Sequence, residues 1–240
     1  MILAGHSHLC AMVGNHFAGV PALSEHPDYE GVAILGGDWP RAATYWEKLV
    51  ANARQSRIAL IWGGNEHNSL YFFEPAFRFD FKSNYIASFL AGTQIVAQSF
   101  IKKRLIEHAI KDLACILTRI AAQSPDKIVL VGTPPPKKDN HRLKELLPQE
   151  PHFEEWAKQM GGVESAAITD PFVRLKLWHV LQDLIAESAT RHGACFIPVP
   201  DELRDKEGFL KPEHWANDVT HANEAYGEIM LRKVIEELRA

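Results

Sequence analysis

Cysteine is scarce: 240 residues hold three, Cys10, Cys115 and Cys195, odd in number and far apart. That excludes a disulfide framework and fits a reducing compartment. No Cys-x-x-Cys pair occurs, so nothing points to structural zinc. An excess of basic residues is also missing. The chain has 26 Lys and Arg against 30 Asp and Glu, a formal charge of −4, which leaves no electrostatic footprint for nucleic acid. No apolar run reaches the roughly 18 residues of a membrane helix. The first residues carry no positively charged n-region, and their short apolar run reads as a strand, so a cytoplasmic protein without a leader is expected. No internal repeat is visible. What is present is 46% hydrophobic and 23% charged, ordinary for a globular chain. This length can bury one large core.

Short apolar runs recur, several of them leaving through a glycine. They lie at residues 1–4 before Gly5, at 31–37, at 57–62 before Gly63, at 126–132 and at 194–199. Helical spacing of apolar residues marks 41–54, 94–123, 171–191 and 229–238, with a short helix from His8. Strands alternating with helices of this length predict an α/β three-layer sandwich. Its sheet should have about five parallel strands, with helices on both faces. Residues 71–81 are aromatic without a clean period and read as a loop or short helix bordering a cleft. Residues 137–170 break the rhythm with proline, lysine and glutamate. They read as an insertion in a single domain spanning 1–240, with a lid role open to it.

In open α/β sheets, ligands bind beyond the carboxyl ends of the strands. The first three strands end there in Ser7, in Gly36 and Gly37, and in Asn65. Just before the last helix come Asp218 and His221, three apart and so on one side of a turn. A serine becomes a nucleophile when a histidine takes its proton, and that histidine needs a partner to fix its tautomer. The Ser7 N–H, a Gly36 or Gly37 N–H and the Asn65 amide are then the candidate oxyanion donors. His6, Trp39, Glu66 and His67 are expected to line the substrate cleft. The plain alternative for Ser7 is a helix N-cap. His6, His8, His67 and His221 leave a metal-assisted hydrolase open, although no His-Glu-x-x-His motif is present. The tryptophans near the rim leave a non-catalytic binding module open.

These blocks resemble the SGNH hydrolases, the GDSL-type esterases and lipases. The match runs through Gly5-His6-Ser7, a glycine at 36 or 37, Gly63-Gly64-Asn65, and Asp218-x-x-His221-x-Asn223-x-x-Tyr226-Gly227. The resemblance implies a flavodoxin-like fold, a Ser7–His221–Asp218 triad and no cofactor. It also implies a serine esterase acting on small acyl groups, such as acetyl esters of a carbohydrate or metabolite. The same catalytic set would serve O-acyl transfer. The chain departs from the pattern at His6, where the family usually has aspartate, and at Glu66, where aspartate often stands.

Overall fold

The computed structural model describes residues 1–14, 22–37, 42–63, 65–75 and 77–240. Its centre is a six-stranded sheet. In chain order the strands are β1 (Ile2–Gly5), β2 (Ala22–Glu25), β3 (Ala33–Gly36), β4 (Arg57–Ile61), β7 (Lys127–Val131) and β8 (Cys195–Ile197), arranged β2-β3-β1-β4-β7-β8. The five strands from β3 to β8 are mutually parallel, in the flavodoxin-like order. The expected five parallel strands are all present, and a sixth, β2, is added at one edge, antiparallel to β3. β2 is largely exposed, as suits an edge strand, and so it lacks the apolar signature of its neighbours. β1 lies between β3 and β4 with all four residues buried. Its continuous apolar run is what a strand covered on both faces requires.

One face of the sheet is covered by α2 (Ala43–Ala51), α4 (Gln98–Leu105), α5 (Lys111–Ala121) and α8 (Pro171–Arg191), whose apolar residues form one core cluster with the strands. The other face is covered by α1 (His8–Val13) and α9 (Glu224–Arg239), which form a second. α1 and α9 pack backbone to backbone: a Cβ on Gly227 would sit 1.6 Å from the Ala11 carbonyl oxygen. Only glycine fits there. Among the described residues no helix is long and apolar enough to cross a membrane.

Three expected boundaries differ. The long helical pattern over 94–123 begins as a strand, β6 (Gln94–Val96). The helix that follows is interrupted by a π-helical turn at Ile106–Ile110. Residues 71–81 include β5 (Phe79–Phe81), parallel to β6 in a small second sheet. The last helix starts at Glu224, not near 229, because the Asn223 side chain accepts from the Tyr226 N–H and caps it. α3 (Glu66–Ser69) follows β4. The inserted stretch contains α6 (Asn140–Leu146) and α7 (Pro151–Gln159). Its Leu143, Leu147 and Phe153 form a third core cluster with Phe72, Phe73 and Val219, so it has its own apolar packing.

The buried ion pair between Asp80 and Lys176 ties β5 to α8. Both side chains are 1% exposed and the Lys176 Nζ lies 2.9 Å from Oδ1. Asp80 also accepts from the Phe81 and Leu90 N–H groups, and Lys176 donates to the Ser88 carbonyl. Lys176→Met strands that carboxylate in the core. It should cost about 3–5 kcal/mol, read as a drop in the urea midpoint at unchanged slope. A loss below about 1 kcal/mol would mean that water reaches Asp80.

Candidate active site

The exit of β1 is braced from two sides. The Gly5 N–H donates to the Tyr45 hydroxyl at 2.8 Å, and that hydroxyl donates to the Leu35 carbonyl at 2.9 Å. This joins the ends of β1 and β3. On the β4 side, a Cβ on Gly5 would lie 2.2 Å from the Ile61 carbonyl oxygen. The His6 N–H donates to that same oxygen at 2.9 Å. The His6 ring then accepts at Nδ1 from the Gly63 N–H at 2.9 Å, so its proton sits on Nε2. The ring meets Trp62 edge-on at 4.5 Å and Trp46 at 5.0 Å. An imidazole here fills the acceptor role that a carboxylate could fill, and fixes the serine turn against the β4 exit.

Ser7 occupies the N-cap position of α1 but makes no capping hydrogen bond. Its hydroxyl points elsewhere: Oγ lies 2.9 Å from His221 Nε2. His221 Nδ1 lies 2.9 Å from Asp218 Oδ2. A carboxylate can only accept, so Nδ1 carries the proton and Nε2 is left to accept from Ser7. Asp218 is itself fixed, because Oδ1 accepts from the Thr220 N–H at 2.9 Å and the His221 N–H at 2.6 Å. Burial pushes its carboxyl pKa up. The hydrogen bond and charge of His221, together with the Lys137 charge, outweigh this and hold it well below the usual carboxylate value.

Ser7 and His221 open into a cleft of about 720 Å³ whose lining includes His6, Trp62, Asn65, Glu66, Glu150 and Phe153. The Asn65 Oδ1 accepts from the Asn68 amide at 2.8 Å, so its NH₂ group is not used in that bond. Gly36 ends β3 and pairs with Ala22 of β2, whereas Gly37 lies just past that ladder, and both are buried. Of the expected cleft residues, one lies elsewhere and one cannot be placed. His67 is 2% exposed and lies outside the lining, because the first turn of α3 carries it inward. Trp39 lies outside the described residues, as does Gly64.

Three further residues stand close to this pair: His8, one of the rim histidines noted in the sequence, and Lys137 and Glu150, which carry no obvious signature there. His8 begins α1, is 3% exposed, and sets its ring 5.0 Å from that of His221, tilted by 57°. Burial, then the neighbouring His221, depresses its pKa well below the usual histidine value, so it stays neutral beside the His221 ring. Lys137, 1% exposed, donates to the Ala216 and Asp218 carbonyls at 2.8 and 2.5 Å, with its Nζ 3.5 Å from Asp218 Oδ1. Burial lowers its pKa to about 8, against the raising effect of Asp218. Glu150, from the inserted stretch, stands beside Asp218 and His221, and burial followed by the Asp218 charge pushes its carboxyl up. Glu150, Asp218 and His221 are close enough to suggest metal ligands. Both His221 nitrogens are already engaged, however, and an ammonium group flanks Asp218. The donor chemistry favours a proton relay.

Solved structures with the same architecture include phospholipase A1 from Streptomyces albidoflavus NA297, at a TM-score of 0.52 and 13% identity, covering 98% of this chain and 97% of that one. An acetylxylan esterase from Geobacillus stearothermophilus superposes at a TM-score of 0.53 and 11% identity, over 99% and 92% of the two chains. An extracellular lipase from Streptomyces rimosus does so at 0.52 and 10% identity, over 99% and 98%. This is the SGNH-hydrolase fold. No family model matches the sequence, and no curated protein does. At these identities the likeness lies in the fold. Within that SGNH frame, Ser7 follows the first strand, Asn65 follows β4, and Asp218 and His221 precede the closing helix.

Proposed function

We propose that the chain is a serine esterase that hydrolyses small acyl esters through an acyl-serine intermediate. The observation that carries this reading is the unbroken hydrogen-bonded line from Ser7 Oγ through His221 to Asp218. His221 Nε2 accepts the hydroxyl proton as Oγ attacks the ester carbonyl, and Asp218 stabilises the imidazolium that forms. The oxyanion meets the Ser7 N–H, which at the start of α1 has no intrahelical acceptor. It also meets the Asn65 NH₂ and the Gly37 N–H, the first beyond the β2–β3 ladder. His221 returns its proton to the leaving alcohol. Water then repeats the sequence and releases the acid.

Treatment with a serine-directed fluorophosphonate, followed by peptide mass spectrometry, should place the adduct on Ser7. An unmodified protein that also fails to turn over p-nitrophenyl acetate would sink the reading. Asn65→Ala should lower kcat for that ester by about 10²–10³, the usual loss for one oxyanion donor. A change below about threefold would confine Asn65 to shaping its turn.

A further inference from the structure

Lys137 keeps its charge away from water: it is 1% exposed. A buried ammonium is costly unless its hydrogen bonds are met. Its backbone is fixed as well. Lys137 ends a buried run that starts at β7, and Pro134, Pro135 and Pro136 before it each lock φ. That run is tied to α8 at both ends. The Thr133 N–H donates to Gln182 Oε1 at 3.1 Å, and the Thr133 carbonyl accepts from the Trp178 indole at 2.9 Å. The Lys137 carbonyl accepts from Arg174 Nη2 at 2.9 Å. The fold thus decides where the ammonium lies.

It lies inside one loop. Lys137 Nζ donates to the Ala216 carbonyl at 2.8 Å and the Asp218 carbonyl at 2.5 Å, and stands 3.5 Å from Asp218 Oδ1. The neck of that loop is closed by the Ala216 N–H, which donates to the His221 carbonyl at 3.1 Å. The loop therefore carries both Asp218 and His221. Two carbonyls and a carboxylate turned toward one point repel one another unless a cation stands among them. With the ammonium there, Asp218 Oδ2 can keep its place 2.9 Å from His221 Nδ1. Lys137 does not line the Ser7 cleft, so it reaches the chemistry only through this loop. We propose that Lys137 is a positioning residue of the esterase: its ammonium sets the Ala216–His221 loop, and Ser7 has an aligned base only while that charge is in place. The inference rests on the esterase reading and adds to the triad a residue supplied by the start of the inserted stretch.

The test is steady-state hydrolysis of p-nitrophenyl acetate by Lys137→Met and Lys137→Gln, each first checked for a cooperative melting transition. Gln keeps a donor for one carbonyl without the charge, and it is the variant read should Met fail to fold. In Lys137→Met kcat should fall by about 10²-fold, the loss typical of a misplaced catalytic group, while KM stays within about twofold. Lys137→Gln should lose about tenfold or more in the same way. A residue that only stabilises the fold would leave kcat per folded molecule in place. Lys137→Met is then repeated in Asp218→Asn. There it should lower kcat by less than about threefold further, because the residue it acts through is already disabled. Removing both charges together also leaves neither stranded in the core, so this double variant decides the matter where the single ones are too unstable. A kcat within about threefold of the parent in a folded single variant, or a further loss beyond about threefold in the Asp218→Asn background, would each overturn the inference. So would a raised KM at unchanged kcat. If the parent hydrolyses the ester and the Lys137 variants do so equally well, the positioning role alone fails. If the parent hydrolyses no ester, the esterase reading fails and the positioning role falls with it.

Discussion

Ser7→Ala should lower kcat for p-nitrophenyl acetate by about 10⁶, the loss seen when the nucleophile of a triad is removed. The melting temperature should stay unchanged. The Ser7 hydroxyl contributes no helix cap, and its one hydrogen bond shown here is to His221, so deletion leaves no buried donor stranded in the core. His221→Ala should fall nearly as far, and the double variant hardly further, because the members act as one unit. Steady-state kinetics on protein titrated for active sites gives the answer. Residual activity above about a hundredth in Ser7→Ala would send the proton pathway elsewhere.

Asp218→Asn is expected to cost about 10⁴ in kcat. An amide can present its NH₂ to His221 Nδ1 and hold the imidazole in the tautomer whose Nε2 carries the proton, which cannot accept from Ser7. The substitution also removes a charge from beside buried Lys137, so some stability should go with it. The pH dependence separates the two effects. The folded carboxyl of Asp218 is held below its ordinary value of 3.8. Its stabilising contribution is therefore present above about pH 4 and is lost as the pH falls through the lower folded value. Urea titrations from about pH 6 to pH 3 should show a smaller acid loss in Asp218→Asn than in the parent. Parallel curves would mean that the acid loss belongs to other carboxylates.

The features legible in the sequence are those that carry a strong local signal. β1, β3, β4 and β7 are buried runs, and their glycine exits place Ser7, Gly37 and Asn65 on one rim. Gly227 reads as part of a motif in the sequence, and the structure supplies its cause in the contact with Ala11. What the sequence hides is set by distant partners. β2 is a four-residue exposed edge strand and looks like a loop. β5 and β6 are three residues each, too short for a period to show. Within α8, Arg174 and Lys176 look like part of a solvent face, yet both are 1% exposed. They reach groups far away in the chain, Asn140 and the Lys137 carbonyl for the first and Asp80 for the second. Glu150 and Lys137 sit in a polar stretch whose ordinary reading is a solvated loop. Only the folding of that stretch against Val219 brings them to Asp218 and His221.

The contact of Gly227 with Ala11 bears on how the protein is made. Ser7 and His221 are 214 residues apart, and the helices adjoining them are pressed together without an intervening side chain. Arg57 of β4 holds the far end of α9 through the Leu238 and Arg239 carbonyls. On the esterase reading, Ser7 therefore gains the base that activates it only when the segment carrying His221 folds back onto β1 and α9 docks against α1.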